Sequence, residues 1–520
     1  MTESGRGKVG VIDAAYAGLV LAALLPAMLT RYPQSADYLN HLVRLQILAA
    51  PAGDPMHALY RPEWHLIPNL GFDLLGLALA QLLPVEIAAK TVWFVAATGL
   101  AAAAWFVART LHGRAPVTLL LVAPCILCLP VTAGFVGFTL GLAAALAAVG
   151  LWLRMGATAT PITLAVMNLF GVVILVMHQA AFDALAVTII GLHSLRPPWQ
   201  PVAIARRTGA AALGFVLPAV VLQFMEHPLP PGPGGPVFDL AGKIRLLPQL
   251  VFTANPVSDI AGALAVILGL YLVLRPGGGR CDRRLVPVLF AWAAMLIVMP
   301  REVGRATAID MRLVVFAGLL LIAGLSAGAM SRARINALLV LTVVAVAVRT
   351  ILLLPDWTAY NRAVEGFRGI AGTVRTGAKV IVAEADGAGC GALKPWRPFY
   401  EHIPVLLVPD RTAFVPTVFS AQGMQPIRPA AAFRDLLDPD APVPPFWALL
   451  KTDTAEGIGE LIESGSTGAW RSYFLNWRRD YDYLALLDLS CGPKTPVGPG
   501  LELVGSSPAY RIFRIVHPAP

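Results

Sequence analysis

The residues best suited to chemistry lie in one short polar segment directly after the first apolar stretch of the chain. Residues 31–41 read RYPQSADYLNH, and Arg44 follows within the next helical turn. The segment offers a carboxylate at Asp37, an amide at Asn40, an imidazole at His41 and a guanidinium at Arg44. Charged groups are costly to hold at a membrane boundary and tend to mark functional sites. We therefore expect the chemistry of this protein here.

Further polar side chains are predicted on the same, outer face of the membrane. In the first outer loop, residues 31–85, and at the outer ends of later spans, the additional candidates are His57, Tyr60, Glu63, His65, His178, Lys243, Arg245, Arg301, Glu302 and Arg305. The positive-inside rule predicts few basic residues on this face, so these cations require a local anionic partner. Because a guanidinium matches phosphate oxygens, a phosphate or diphosphate on a lipid is such a partner.

Structural roles remain open for the same residues. Asp37 and His41 are four residues apart and can pair on a shared helix face. Asn40 and Arg44 can bind lipid headgroups from an interfacial helix. At the outer ends of later spans, His178 can be a helix-end histidine bonded to a carbonyl. Lys243 and Arg245 can contact lipid headgroups. Arg301, Glu302 and Arg305 can form a structural ion-pair network.

The composition identifies a polytopic membrane protein. Of 520 residues, 57% are hydrophobic and 14% are charged, whereas average globular chains carry about 25% charge. The net charge of +9 is uneven, because residues 355–520 hold 16 basic and 17 acidic residues, which leaves 24 basic and 14 acidic residues for 1–354. The positive excess therefore lies with the membrane helices, and nothing indicates nucleic acid as a partner.

The basic loops predict the topology. With a cytoplasmic N-terminus, the apolar run Val9–Thr30 is a signal-anchor span that delivers Asp37 to the outer face. Residues 66–84 are expected at the outer interface, because a span there would place the basic loop 109–114 outside. The predicted spans are about 10–30, 86–108, 116–131, 134–153, 161–177, 179–195, 208–225, 257–274, 285–300, 311–329 and 335–354. Eleven spans place the C-terminus outside, in the periplasm of a Gram-negative cell.

The sequence divides into a transmembrane domain, 1–354, and a periplasmic α/β domain, 355–520. In the second domain, periodicity predicts helices over 357–375, 431–437 and 455–463, strands over 379–384, 403–408 and 483–489, and a hairpin through 502–516. The segment Phe414–Phe419 is unusually apolar, so both a core position and docking on the membrane face remain open. Cys390 and Cys491 can pair if this domain lies outside the cytoplasm.

The N-terminal part of the chain resembles a known group of enzymes. A first span, an outer loop opening with an acidic residue, interfacial helices and a second span ending in a basic loop form the layout of the GT-C superfamily of polyprenyl-phosphosugar glycosyltransferases. The likeness is greatest to the bacterial aminoarabinose transferase and protein O-mannosyltransferase type, through residues 73–90, DLLGLALAQLLPVEIAAK, and 109–114, RTLHGR. The chain is also similar to bacterial membrane proteins with a D-x-x-N-H-L-x-R signature, here Asp37–Arg44. Motifs match over residues 1–115, and the remainder matches in layout.

The resemblance implies a reaction and its partners. Asp37 corresponds to the carboxylate that takes a proton from the acceptor, which attacks the anomeric carbon with inversion while the lipid phosphate leaves. The O-mannosyltransferase type has a second acidic residue where this chain has Tyr38. That difference argues against assistance by a divalent metal and leaves His41 and Glu63 as alternative bases. The implied partners are a polyprenyl-phosphate sugar donor, membrane lipids, and a glycan, lipid or protein acceptor.

Three functions follow from these observations. The preferred one is a glycosyltransferase of the bacterial inner membrane, with Arg301 and Arg305 on the donor phosphate and Asp37 on the acceptor. The alternative is a transporter or flippase for a lipid-linked solute, although the sequence has no internal repeat and its charges gather at one face. An assembly protein that only anchors the C-terminal domain would not need eleven spans.

Overall fold

The computed structural model describes residues 10–226, 237–302, 308–328, 330–385, 396–437, 443–463, 472–490 and 494–516. The α-helices in these ranges are α1 Val11–Ala23, α2 Leu25–Leu29, α3 Tyr38–Ala49, α4 Gly71–Ala80, α5 Val85–His112, α6 Leu129–Ala133, α7 Val136–Arg154, α8 Pro161–Met177, α9 Gln179–Ser194, α10 Pro201–Ala212, α11 Val216–Phe224, α12 Pro256–Leu274, α13 Val286–Val298, α14 Ile309–Gly324, α15 Arg332–Ala371, α16 Pro398–Glu401, α17 Leu407–Arg411, α18 Phe446–Lys451, α19 Ala455–Glu463 and α20 Trp477–Asp480. The strands are β1 Tyr60–Pro62, β2 Arg280–Cys281, β3 Leu325–Ser326, β4 Val380–Glu384, β5 Ile427–Pro429, β6 Tyr483–Leu487, β7 Leu501–Ser506 and β8 Tyr510–Ile515.

Membrane-spanning helices dominate the first two thirds of the chain. In the described ranges, five helical segments are long and apolar enough to cross a bilayer: Val85–His112, Val136–Arg154, Pro201–Phe224, Pro256–Leu274 and Arg332–Ala371. Shorter apolar helices accompany them, and the predicted spans coincide largely with helical segments, although the span 311–329 extends past α14 into β3. The predicted class, an α-helical multi-pass membrane protein with a strand-containing C-terminal region, is confirmed.

The third predicted span, 116–131, differs in kind from the others. It is a 3-10 helix, Val117–Cys125, followed by the five-residue helix α6. Pro124 lies inside the 3-10 helix, and proline removes a backbone donor and opposes a regular α-helix. Every residue of both pieces is buried. This irregular segment is therefore enclosed by protein, where broken backbone at membrane depth is tolerated.

Helix α15 joins the membrane helices to the C-terminal region. Its 40 residues rise about 60 Å, which is twice the roughly 30 Å thickness of the hydrocarbon core. The two helices predicted on either side of Pro355 are therefore one continuous helix. The proposed domain boundary after residue 354 falls within this helix, whose second half extends beyond the membrane.

The outer loop between the first two spans is folded. Residues 66–84 contain the ten-residue helix α4, which rises about 15 Å and is too short to cross the bilayer. Helix α4 packs against α3, α5 and α7. Strand β1 of the same loop pairs antiparallel with β5 of the C-terminal region, with Tyr60 opposite Pro429. The outer loop and the C-terminal region thus share a sheet.

The C-terminal region contains a four-stranded sheet in the order β4-β6-β8-β7. Strands β4 and β6 are parallel, and β8 pairs antiparallel with β6 and β7. The strands predicted at 379–384 and 483–489 and the hairpin at 502–516 are confirmed. Residues 455–463 form α19 as predicted, and 431–437 form a 3-10 helix, Ala431–Leu436.

The strand predicted at 403–408 is wrong. These residues form a 3-10 helix, Ile403–Leu406, and the start of α17. A short buried apolar run does not distinguish a strand from a buried helical turn, and Pro404 at the start of the 3-10 helix lacks the N–H that a central strand needs. The apolar segment at Phe414 is core, since Phe414 and Val415 are fully buried. Cys390 and Cys491 lie outside the described residues.

Candidate active site at Asp37

Backbone contacts with the end of α6 fix the position of Asp37. The Asp37 N–H donates to the carbonyl of Ala133 at 3.0 Å, and the Ser35 hydroxyl donates to the carbonyl of Val131 at 2.7 Å. Gly134 ends α6 with a left-handed φ of 86°, and a Cβ added there would lie 2.7 Å from the Asp37 nitrogen. Only glycine allows this approach. Asp37 precedes α3 but forms no side-chain capping bond, so its carboxylate is available for other contacts.

A histidine from the C-terminal region faces this carboxylate. His402 places Nε2 3.7 Å from Oδ1 of Asp37. The Asn40 amide accepts from the Phe419 N–H at 2.8 Å, which fixes its orientation, and its nitrogen lies 3.0 Å from His402 Nδ1. Because an amide nitrogen only donates, Nδ1 is the acceptor and the neutral ring carries its proton on Nε2. His402 therefore points an N–H toward Asp37.

Burial shifts the pKa values of Asp37 and His402 in opposite directions. It raises the pKa of Asp37 to about 7, although the nearby charges of Arg312 and Arg44 lower it in part. Burial lowers the pKa of His402 to about 4. The adjacent Glu401 has a pKa raised to about 7 by burial, with the charges of Glu384 and Asp37 adding to the effect. At neutral pH, Asp37 can therefore both hold and release a proton, as a general base requires.

Arg44 belongs to a buried ion pair with Asp73 of α4. Its Nε lies 2.7 Å and its Nη2 3.1 Å from the two carboxylate oxygens, and neither side chain is exposed. Nη2 also lies 2.9 Å from Nδ1 of His41, whose Nε2 is 3.0 Å from the carbonyl of Gly134. Burial and the charge of Arg44 lower the pKa of His41. In this arrangement both His41 nitrogens are engaged, and the ring positions the Asp37 loop rather than pairing with Asp37.

Arg312 supplies the positive charge of the site. Its guanidinium lies over the Phe135 ring, 3.8 Å from the centroid, and it is close enough to Asp37 to lower the pKa of that carboxyl. Within the part of the chain that the structure describes, its buried Nε has no hydrogen-bond partner. His178, between α8 and α9, packs edge-on against Phe138. The Ala180 N–H donates to Nδ1 of His178 at 3.2 Å, which leaves the proton of this ring on Nε2.

The other candidates at the outer helix ends are engaged in structural contacts. Lys243 donates to Asp310 at 2.5 Å and to the carbonyl of Met299 at 2.6 Å. Arg301 pairs with Asp239 at 3.1 Å, and the backbone carbonyl of Glu302 accepts from Val237. Arg245 is exposed, and Arg305 lies outside the described residues. Lys243 and Arg301 therefore form ion pairs with carboxylates of this chain.

The remaining outer-loop candidates connect the loop to its surroundings. His57 Nε2 is 2.9 Å from the carbonyl of Ile47. Tyr60 is fully buried and donates to the carbonyl of Val415 at 2.5 Å. Glu63 and His65 form an exposed pair at 2.8 Å. Of these contacts, that of Tyr60 joins the outer loop to the C-terminal region, whereas His57 bonds within the loop and Glu63 lies on its exposed surface.

Three residues of this site were not among the predicted candidates. Asp73 and Arg312 appear in the sequence as charges near membrane boundaries, which is a usable signal, but their partners are distant in the chain. His402 directly precedes the segment 403–408 that was predicted to be a strand, and it belongs to no motif. Among the described residues, no group of three or more His, Cys, Asp or Glu side chains is arranged to hold a metal ion.

Comparisons with known proteins give one structural similarity. No protein-family model matches the chain, and no curated protein matches it. The crystal structure of ArnT from Cupriavidus metallidurans in the apo state is similar over 98% of this chain and 99% of that chain, with 10% sequence identity and a TM-score of 0.49. The functional proposals below depend on the residues of the site and not on this similarity.

Proposed function

We propose that this protein is a membrane glycosyltransferase that transfers a sugar from a polyprenyl-phosphate donor to an envelope acceptor. The observation that carries the proposal is the proximity of Asp37, a partly exposed carboxyl with a pKa near 7, to Arg312, whose Nε has no hydrogen-bond partner among the described residues. The first group can take a proton from an acceptor, and the second can stabilise a departing phosphate. The resemblance of residues 1–115 to GT-C enzymes supports the same reaction.

The reaction requires one proton transfer and one displacement. Asp37 takes the proton from the acceptor hydroxyl or amine as that atom attacks the anomeric carbon of the donor. The bond from the anomeric carbon to the lipid phosphate breaks, its electron pair leaves with the phosphate, and the anomeric configuration inverts. An acceptor hydroxyl that donates to Asp37 can also accept from the His402 N–H, because an oxygen beside the pair can lie within hydrogen-bond distance of both atoms, which are 3.7 Å apart. Asp37 is thus the proposed base, ahead of His41 and the exposed Glu63.

Arg312 takes the role first expected of Arg301 and Arg305. Arg301 is neutralised by Asp239, whereas Arg312 has a carboxylate neighbour that becomes neutral when it accepts the proton of the acceptor. The positive charge of Arg312 is then fully available to the lipid phosphate as negative charge develops on it. Electrostatic stabilisation of this kind is effective where the donors are fixed in advance.

An apolar cavity supports a lipid as one substrate. It has a volume of about 330 Å³ and lies between α12, α13 and α14. Its walls are hydrocarbon, including Ile267, Trp292, Leu296, Val314 and Leu321. A prenyl or acyl chain fits this chemistry, and a polar solute does not. We place the protein in the bacterial inner membrane, with its N-terminus in the cytoplasm and with Asp37 and the C-terminal region on the periplasmic side.

The proposal is tested by transfer assays in proteoliposomes. A panel of undecaprenyl-phosphate-linked sugars, radiolabelled in the sugar, is incubated with envelope extract as acceptor, and label transfer is measured alongside release of undecaprenyl phosphate. Asp37→Asn keeps the shape of the side chain and should lower turnover about 10²–10⁴-fold. Arg312→Gln should also impair transfer, and Arg362→Gln, at an exposed site of α15, serves as the control.

Two outcomes would contradict the proposal. Near-native turnover in a folded Asp37→Asn variant would remove Asp37 as the base. Movement of the intact sugar-lipid across the bilayer without release of undecaprenyl phosphate would instead identify a flippase, the alternative function.

A further inference from the structure

A polar cavity lies between the outer loop, the start of α12, α15 and the C-terminal region. Its volume is about 280 Å³, close to the lower end of small-molecule sites, about 300 Å³. The side chains that define its chemistry are Gln34, Asn255, Asp356, Trp396, Phe399 and Tyr400. The proposed mechanism uses none of them.

The cavity has unused hydrogen-bonding capacity. Gln34 and Tyr400 are each only 7% exposed, and both line the cavity. In the described ranges, neither the Gln34 amide nor the Tyr400 hydroxyl forms a hydrogen bond. Because both side chains line the cavity, these groups can hydrogen-bond to a polar ligand or to ordered water. Asp356 adds a carboxylate, one oxygen of which accepts from Asn255 at 2.7 Å.

The charge and the aromatic content of the walls define the ligand class. Among the described lining residues, Asp356 is the only carboxylate and none is a lysine or arginine. A phosphate would thus meet a carboxylate and no cation, which disfavours it. Trp396, Phe399 and Tyr400 provide aromatic surface, while Gln34 and Asp356 provide acceptors and a donor. An uncharged ring with many hydroxyls, a sugar, matches both parts of the wall.

Two of the cavity residues lie close in sequence to the residues that are proposed to act on the acceptor. Gln34 lies three residues before Asp37, on the segment that α6 holds in place. Tyr400 lies two residues before His402, which faces Asp37. The two chain segments that carry the proposed base and its histidine therefore also form the cavity walls. The donor phosphate has its own cation in Arg312, outside this cavity.

We infer that this cavity binds an uncharged sugar ring of the acceptor, so that the acceptor is a glycan rather than a peptide or a phosphorylated headgroup. The inference rests on the proposed function. The sequence left the acceptor open among a glycan, a lipid and a protein, and this inference selects the glycan. Sugar hydroxyls hydrogen-bond to Gln34, Asp356 and Tyr400, and one face of the ring packs on the aromatic residues.

Ligand binding tests the inference without knowledge of the natural acceptor. Saturation-transfer-difference NMR is recorded on the full chain in nanodiscs with methyl α-glucopyranoside, methyl α-mannopyranoside and methyl α-galactopyranoside as probes. At least one glycoside should bind, and Tyr400→Phe, which removes a single hydroxyl, should weaken binding about three- to tenfold. Tyr271→Phe, with an exposed ring on α12, is the matched control. Gln34→Leu provides a second, independent test of the same wall.

The outcomes separate this inference from the proposed function. Asp37→Asn should retain glycoside binding while it loses transfer. Glycoside binding without transfer activity from any donor would leave the cavity in place and contradict the transferase. Transfer activity without glycoside binding, or binding that Tyr400→Phe and Gln34→Leu leave unchanged, would overturn the glycan site. Equal or tighter binding of a hexose phosphate would also overturn it.

Discussion

Gly134→Ala should inactivate the protein by moving Asp37 while leaving the fold intact. Gly134 ends α6, its carbonyl accepts from His41, and its backbone has a left-handed φ of 86°. An alanine Cβ would lie 2.7 Å from the Asp37 nitrogen and 3.0 Å from the Asp37 Cβ. Because the nearest atom is backbone rather than the end of a flexible side chain, the Asp37 loop itself has to shift.

The expected magnitude has two parts. A left-handed backbone costs an alanine about 1–2 kcal/mol relative to glycine, which lowers stability modestly. Relief of the contact requires the Asp37 backbone to move by up to about 1 Å, and a displacement of this size in a catalytic group can cost about 10²-fold in rate. The variant should therefore lose far more activity than its loss of stability would explain.

Gly113→Ala is the matched control. Gly113 ends α5 with a similar φ of 74°, but a Cβ there meets no atom within 4 Å. It has the same backbone cost without the contact. Turnover in proteoliposomes and Tm are measured for both variants. Similar Tm values with turnover about 10²-fold lower in Gly134→Ala alone are expected, whereas equal turnover would refute the reasoning that the α6 end positions the base.

The remaining predictions concern charge. Asp73→Leu leaves Arg44 buried without its partner and should cost about 3–5 kcal/mol of stability, whereas the double variant Arg44→Met, Asp73→Leu should recover most of it; a single variant as stable as the double would contradict the buried pair. Turnover should rise as the pH rises through about 7, since Asp37 acts as a base only when ionised; a rate that is flat between pH 6 and 8 would exclude it. The same raised pKa makes the stability depend on pH. The contribution of Asp37 to the free energy of unfolding is fully present below the pKa of about 4 that it has in the unfolded chain, and it is lost as the pH rises toward 7. Asp37→Asn should therefore be more stable than the wild type in thermal unfolding at pH 8.

The sequence predicted those helices and strands that depend on the length and periodicity of a single apolar segment. Apolar runs long enough to cross a bilayer identified the positions of the spans, because the length of such a run alone meets the thickness of the hydrocarbon core. The strands 379–384 and 483–489 and the hairpin 502–516 followed from periodicity. The run at 403–408 failed because a short buried segment has the same composition in a strand and in a helical turn. The sequence also located Asp37, Asn40, His41 and Arg44 together, since they share two turns of chain.

Only the tertiary structure decided the roles of the charged residues. Whether a cation is free or neutralised depends on partners far away in the chain: Lys243 meets Asp310 and Arg301 meets Asp239, while the Nε of Arg312 has no partner among the residues that the structure describes. His402 reaches Asp37 across 365 residues of sequence. Such contacts form when helices and loops pack, and no local pattern encodes them. The sequence therefore located the carboxylate, and folding provided the burial, the neighbouring histidine and the nearby guanidinium that make it a candidate base.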